Sequence, residues 1–113
     1  MRRGEIWVAN LNPTRGREIG KVRPVVIMQA DWLTELGADT ILMIPLTTQI
    51  RPALEPIRIR IRARDQLQHD CLTVTEKMRA LDRDRFGKGP LTTLTDAEMA
   101  AIERSLGAVL GMG

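Results

Sequence analysis

The chain has 113 residues, of which 43% are hydrophobic and 27% charged, and its formal net charge is +3 at pH 7. This length allows one hydrophobic core, so we expect residues 1–113 to form a single domain. No apolar run approaches the roughly 18 residues of a membrane span, and the N-terminus lacks the continuous apolar stretch of a secretory signal. We therefore expect a cytoplasmic protein without a membrane segment.

Strands are predicted in three parts of the first half, from alternating or β-branched runs at residues 6–11, 24–28 and 40–44, the last ending near 45–47. Pro13 and Gly16 indicate that a loop reaching about Val22 follows the first strand. The second strand should begin at Pro24, because proline lacks the N–H of a ladder donor. Residues 30–36 predict a short helix that Gly37 ends.

Residues 57–62 alternate isoleucine and arginine without a break. This pattern predicts a strand with its isoleucines in the core and its arginines on the opposite face. The arginine face can grip phosphate, but a sheet in water also needs a charged outer face, and charge protects an edge strand from pairing. We favour the solvated interpretation.

The remaining sequence predicts a strand at residues 72–75, one helical turn at 82–86 and a C-terminal helix. Thr95 and Glu98 have the spacing of a capping box, and apolar residues then recur at helical intervals to Leu110. This helix, from about Asp96, should use its apolar stripe for core or dimer packing. Five or so short strands and one packed helix predict a mainly β, α+β fold, either an SH3-like barrel or a twisted antiparallel sheet.

The chain contains one cysteine, Cys71, and one histidine, His69. A single cysteine cannot form an internal disulfide, which suits a reducing compartment. The pair cannot supply the three or four soft ligands of a zinc site, so no metal site is predicted. We interpret Cys71 as a small buried residue of a strand.

Basic residues are concentrated in the first half of the chain. Residues 1–64 carry 11 Lys and Arg against 6 Asp and Glu, whereas residues 65–113 carry 6 against 8. This distribution suits a surface that binds a polyanion, although solvated arginines without a partner give the same counts. Charge alone leaves both interpretations open.

Three motifs resemble those of the MazF/PemK/ChpB toxin family. They are the opening at residues 3–26, with Leu11-Asn12-Pro13-Thr14-Arg15-Gly16 and Lys21-Val22-Arg23-Pro24, the segment Ile44-Pro45-Leu46-Thr47-Thr48, and Met78-Arg79-Ala80-Leu81-Asp82. With the capped C-terminal helix, the resemblance covers nearly the whole chain. It implies the CcdB-PemK plasmid-toxin fold, a homodimer, and metal-independent cleavage of single-stranded RNA with no cofactor.

The resemblance also implies two functional positions, the arginine before a proline and the threonine that ends the following long strand. They match Arg23 and Thr47. Attack of a 2′-OH on its own phosphate needs a base, an acid for the 5′-oxygen and donors for the developing dianion. Arg23 can supply donors and the acid, but its pKa above about 12 makes it a poor base. Glu76 is our candidate base; alternatively it is a surface carboxylate paired with Lys77 or Arg79.

Further RNA-binding candidates lie near these positions: Arg15, Arg17, Glu18, Lys21, Gln49, Lys77 and Arg79. The loop after the first strand should overhang a groove, with cations that follow an RNA backbone. Trp7 is expected in the core, so few aromatic residues are available to stack bases, and phosphate and polar base-edge contacts should matter more.

Two positions depart from the family's pattern. Arg17 stands where some relatives carry a histidine that can shuttle protons, and Val74 stands where some place a catalytic arginine. The site should therefore depend more heavily on Arg23.

Two other functions fit the same fold. A gyrase poison of the CcdB type uses a C-terminal tryptophan, whereas this chain ends in Leu110-Gly111-Met112-Gly113. A nucleic-acid-binding adaptor would use the basic face without chemistry. For a nuclease, the resemblance implies an antitoxin whose acidic, partly disordered tail competes with RNA for the basic groove.

Overall fold

Seven strands form one curled sheet in the computed structural model, which describes residues 1–113. The strands are β1 (Glu5–Asn10), β2 (Val22–Ile27), β3 (Thr40–Thr47), β4 (Arg60–Ile61), β5 (Cys71–Thr73), β6 (Arg79–Asp82) and β7 (Thr92–Thr93). The helices are α1 (Asp31–Glu35) and α2 (Asp96–Val109), with 3₁₀ turns at Pro52–Leu54, Thr75–Lys77 and Arg83–Arg85. None of the helices has the length and apolar character needed to cross a membrane.

Strand β3 is the centre of the sheet. It pairs along one edge with β2 and along the other first with β6 and then, at Leu46 and Thr47, with β5. All of these pairings are antiparallel, and the order across the sheet is β4-β5-β3-β2-β1-β7. Because two strands share one edge of β3, its last residues lie where the sheet divides.

The core lies on both faces of this sheet. Ile6, Val26 and Ile44 form a row across β1, β2 and β3, and Met99 and Ile102 of α2 belong to the same buried cluster. A smaller cluster on alternate positions covers the opposite face; its members are Ala9, Leu11, Val25, Met43 and Leu81. Burial on both sides explains the continuous apolar runs at residues 25–28 and 43–46.

The structure confirms the mainly β fold, the first three strands and the C-terminal helix. The predicted start of the second strand at Pro24 is wrong, because β2 begins at Val22 and continues through Pro24, which lies opposite Val8. The predicted turn near residues 82–86 is confirmed as a 3₁₀ turn, whereas β6 and β7 were not predicted as strands.

The predicted strand at residues 57–62 is wrong over most of its length. Only Arg60 and Ile61 pair with a neighbour, and Ile57 is 47% exposed. The backbone N–H groups of Ile57 and Arg58 both donate to Leu54 O, so the preceding 3₁₀ turn extends into the segment. The next strand is also shorter than predicted, because Thr75 begins another 3₁₀ turn.

The capping box at the start of α2 gives a prediction for stability. The Thr95 hydroxyl accepts the Glu98 N–H, and the Glu98 carboxylate accepts the Thr95 N–H. Replacing Thr95 with Ala should lower the free energy of unfolding by about 1 kcal/mol, because one end donor of the helix loses its partner. Urea denaturation measures this loss. Thr93→Ala, on an exposed threonine, is the control, and equal effects of the two variants would contradict the capping role.

Candidate functional site

Arg23 and Thr47 lie opposite each other at the ends of β2 and β3. The antiparallel register pairs Val25 with Pro45 and Val26 with Ile44, and continuing it by two residues brings Arg23 opposite Thr47. Residues in such positions have Cβ atoms about 4.5–5.5 Å apart on one face of the sheet. Both residues are half-buried, and they line a common cavity of about 190 Å³.

Pro24 determines where the Arg23 guanidinium is held. The N–H of Met28 donates to Leu42 O, and alternation along the ladder then places Pro24 where it would donate to Leu46 O. Proline has no N–H, and Leu46 O instead accepts Nη1 of Arg23 at 3.2 Å. Nε of Arg23 donates to Gly20 O at 2.8 Å. Partial burial lowers the pKa of this guanidinium, but arginine keeps its charge in proteins, and three of its five N–H donors remain for a ligand.

Thr47 presents a hydroxyl proton to the same cavity. Its Oγ1 accepts the backbone N–H of Gln49 at 3.2 Å, which fixes the oxygen and leaves the O–H free to donate. A β-branched side chain at a strand end also has few alternative rotamers. Arg23 and Thr47 therefore supply positioned donors of the kind that stabilise a negatively charged oxygen.

Arg58 lines this cavity too and was not predicted as a site residue. Its side chain is 18% exposed, so the interpretation of the arginine face as fully solvated is wrong at this position. Nε and Nη2 of Arg58 donate to the two carboxylate oxygens of Glu76 at 3.2 and 2.7 Å. The isoleucine–arginine alternation was the available signal, but it predicted the wrong local structure.

Glu76 pairs with Arg58 and not with Lys77 or Arg79, so that predicted alternative is wrong in its partners. The hydrogen bonds from Arg58 hold the pKa of the Glu76 carboxyl below its ordinary value. A glutamate is already ionised at neutral pH, and the bonds from Arg58 keep Glu76 ionised to lower pH than usual. Glu76 does not line the cavity, and its link to it is the pair of hydrogen bonds from Arg58.

Three adjoining cavities form one groove along this surface. The first, about 460 Å³, is lined by Arg15, Arg17, Glu18, Ile19, Lys77, Met78 and Arg79. The second is the cavity of Arg23 and Thr47, which shares Ile19 and Lys77 with the first. The third, about 230 Å³, contains Lys21 and shares Arg23, Thr47 and Gln49 with the second. We call these together the groove, and every RNA-binding residue predicted from the sequence lies along it.

The loop after β1 is held over the groove by polar contacts. Nζ of Lys77 donates to Arg17 O at 2.5 Å, and the Arg15 N–H donates to the Glu18 carboxylate at 2.6 Å. Glu18 therefore stabilises the turn between residues 15 and 18 of the loop. Arg79 lines the first cavity, and its Nη1 is a buried donor without a hydrogen-bond partner. An unpaired buried donor of this kind is costly.

Other sequence predictions concern the cysteine and the two tryptophans. Cys71 is buried in β5 as predicted, and burial raises the pKa of its thiol to about 11, which makes it a poor nucleophile. Trp7 is only partly buried, contrary to prediction, and Trp32 is 65% exposed on α1. Neither tryptophan lines the groove, so neither is placed to stack bases there.

Comparison with known proteins identifies the family. Residues 2–110 match the model of the PemK-like, MazF-like toxins of type II toxin–antitoxin systems. The chain belongs to this family. It is 34% identical to "Endoribonuclease MazF" of Staphylococcus saprophyticus subsp. saprophyticus over 99% of this chain and 92% of that protein.

Solved structures of MazF proteins show the same fold. MazF from Deinococcus radiodurans superposes with a TM-score of 0.84 over 99% of this chain and 97% of that chain, at 21% identity. Mycobacterium tuberculosis toxin MazF-mt6 gives 0.79 over 96% and 98%, at 16% identity. The predicted plasmid-toxin fold is thereby confirmed as a MazF-like curled antiparallel sheet with a C-terminal helix.

The Arg58–Glu76 pair predicts a pH dependence of stability for this MazF-like chain. A carboxyl whose pKa is lower in the folded chain stabilises the fold above its ordinary value of 4.5 and loses that contribution as pH falls through the lowered value. The urea midpoint should therefore fall below pH 4.5, and Glu76→Gln should remove part of that fall. Glu98→Gln should act likewise through Arg64. A pH profile unchanged by Glu76→Gln would contradict the pairing.

Proposed function

We propose that this MazF-like protein is an endoribonuclease that cuts single-stranded RNA, with Arg23 and Thr47 at the reacting phosphate. The observation that carries the proposal is the position of Arg23 opposite Thr47 in the groove, each with donors left for a ligand. The name of the staphylococcal relative supports the same activity. The loop cations Arg15, Arg17 and Lys21, which line the groove, suit a polyanionic chain rather than a small neutral substrate.

The proposed reaction needs no metal ion. The 2′-OH of one nucleotide loses its proton and attacks the adjacent phosphorus, while the bond to the 5′-oxygen of the next nucleotide breaks. The products are a 2′,3′-cyclic phosphate and a 5′-OH. Arg23 and Thr47 donate hydrogen bonds to the phosphoryl oxygens as negative charge develops on them. Arg23 is also the proposed proton donor to the leaving 5′-oxygen. As its bond to phosphorus breaks, this oxygen becomes a stronger base than a neutral guanidine, so it can take a proton from Arg23.

Glu76 is the candidate for the base that removes the 2′-OH proton. Glu76, predicted from the sequence, is ionised at neutral pH and therefore able to accept a proton. Its two hydrogen bonds from Arg58 also weaken it as a base, since they stabilise the charged form.

We further propose that the protein acts as a homodimer and that an antitoxin restrains it by placing an acidic segment in the groove. Two structures with a TM-score of 0.78 to this chain support an antitoxin partner: a MazE–MazF complex from Deinococcus radiodurans and a mycobacterial endoribonuclease in complex with its cognate antitoxin. The groove carries cations from the loop, from Arg23 and from Lys77. An acidic tail and an RNA backbone would compete for them.

Cleavage of a long single-stranded RNA in EDTA tests the nuclease proposal. We expect cuts at defined positions from the wild-type chain. Arg23→Ala and Thr47→Val should each reduce the rate by about 10²–10³-fold, because each removes a donor aimed at the developing charge. Thr47→Val keeps the shape of the side chain and removes only the hydroxyl.

Arg104→Ala is the matched control, because Arg104 is an exposed arginine of α2 that does not line the groove. It should cut at the wild-type rate. Wild-type rates in folded Arg23→Ala would contradict the proposed site. No cutting by the folded wild-type chain, with RNA binding retained, would favour an adaptor instead.

A further inference from the structure

Arg58 lines the groove and forms an ion pair with Glu76. The roles proposed for Arg23 and Thr47 do not explain what this pair does. We propose that Arg58 is a second guanidinium that binds RNA phosphate in the cavity of Arg23 and Thr47, and that Glu76 positions it there. The inference rests on the proposed RNA-binding function of the groove. It assigns to Glu76 a role through Arg58 in place of proton transfer.

The backbone on both sides of Arg58 is fixed by hydroxyl groups. Ile57 O accepts hydrogen bonds from Thr75, at 3.3 Å, and from Ser105. The N–H of Ile59 donates to Thr73 Oγ1 at 2.9 Å. The hydroxyl-bearing residues are buried and come from β5, the following 3₁₀ turn and α2. A segment with little regular pairing is thereby held in one position.

The guanidinium is fixed as well. The two bonds to Glu76 are the bidentate kind that sets the plane of an arginine side chain. They use Nε and one hydrogen of Nη2, which leaves three N–H donors on the edge away from Glu76. Arg58 lines the cavity of Arg23 and Thr47, and Glu76 does not. Arg58 therefore has the same arrangement as Arg23, with some donors used for anchoring and the rest available to an anion.

A merely structural ion pair is the main alternative, and the chain supplies a matched control for it. Arg60 donates to one oxygen of Glu55 from Nε and Nη2, at 3.1 and 2.5 Å, and its side chain is 39% exposed against 18% for Arg58. Arg60 lines none of the groove cavities. Arg60→Ala thus removes the same charge and an arginine–glutamate ion pair without removing a groove donor.

Binding to a fully 2′-O-methylated single-stranded RNA of mixed sequence tests the inference, because this probe has no attacking hydroxyl. Arg58→Ala should weaken binding about tenfold, as the loss of hydrogen bonds to a charged group predicts. It should also reduce the slope of log K against log salt by about 0.7, the value for one lost phosphate contact on a single strand. Arg58→Lys should retain most of that slope. Equal binding by Arg58→Ala and Arg60→Ala would overturn the proposal.

A double-mutant cycle tests the role of Glu76. If Glu76 positions Arg58, Glu76→Gln should weaken RNA binding in the wild-type background and have no further effect in the Arg58→Ala background. In cleavage it should raise KM and leave the pH profile of kcat unchanged. A fall in kcat of similar size in both backgrounds, with a shifted pH profile, would overturn positioning and make Glu76 the base.

The binding assay does not require cleavage, so the two proposals fail separately. A folded chain that never cuts RNA overturns the nuclease function, whereas the contribution of Arg58 to binding is still measured.

Discussion

The missing N–H of Pro24 is the constraint on which the site depends. Within an antiparallel ladder it leaves one carbonyl, that of Leu46, without a backbone donor from β2. The preceding arginine satisfies this carbonyl, so the guanidinium is anchored at the end of β3, directly beside Thr47. A proline that would weaken most central strands thus positions the principal charged group of the groove.

The rest of the groove is assembled from elements that are distant in sequence. The loop after β1 lines it and is held by the bond from Lys77 to Arg17 O, while Ser105 of α2 donates to Ile57 O, next to Arg58. Arg23 and Arg58 are each fixed by two hydrogen bonds and each keep donors for a ligand. Donors held in place before the ligand arrives need little reorganisation when charge develops, which is the usual source of electrostatic catalysis.

Local signals in the sequence were sufficient for much of the fold. The apolar runs of β2 and β3 predicted strands because both faces of those strands are buried, and the capping box predicted the start of α2 within one residue. The segment around Arg58 was not predictable in this way. Its alternation matches a strand, but hydrogen bonds to Leu54 O and to buried hydroxyls override that preference, and these contacts are known only once the chain is folded.

The site was predictable to a similar degree. Arg23, Thr47 and the loop cations were found from their motifs, and the structure brings them into one groove. Arg58 was missed because nothing in its sequence neighbourhood indicates that a carboxylate 18 residues away holds it. Antiparallel register and ion pairing across elements are tertiary properties, so a single sequence gives the residue types of the groove but not which of them are neighbours.

A crystal structure of the protein with an uncleavable, 2′-O-methylated RNA tests the central claim most directly. We expect one phosphate within hydrogen-bond distance, about 2.7–3.2 Å, of both the Arg23 guanidinium and the Thr47 hydroxyl, with the Arg23–Leu46 bond retained. An RNA backbone that follows another surface, or a phosphate that reaches Arg23 only after it has left Leu46 O, would contradict the account.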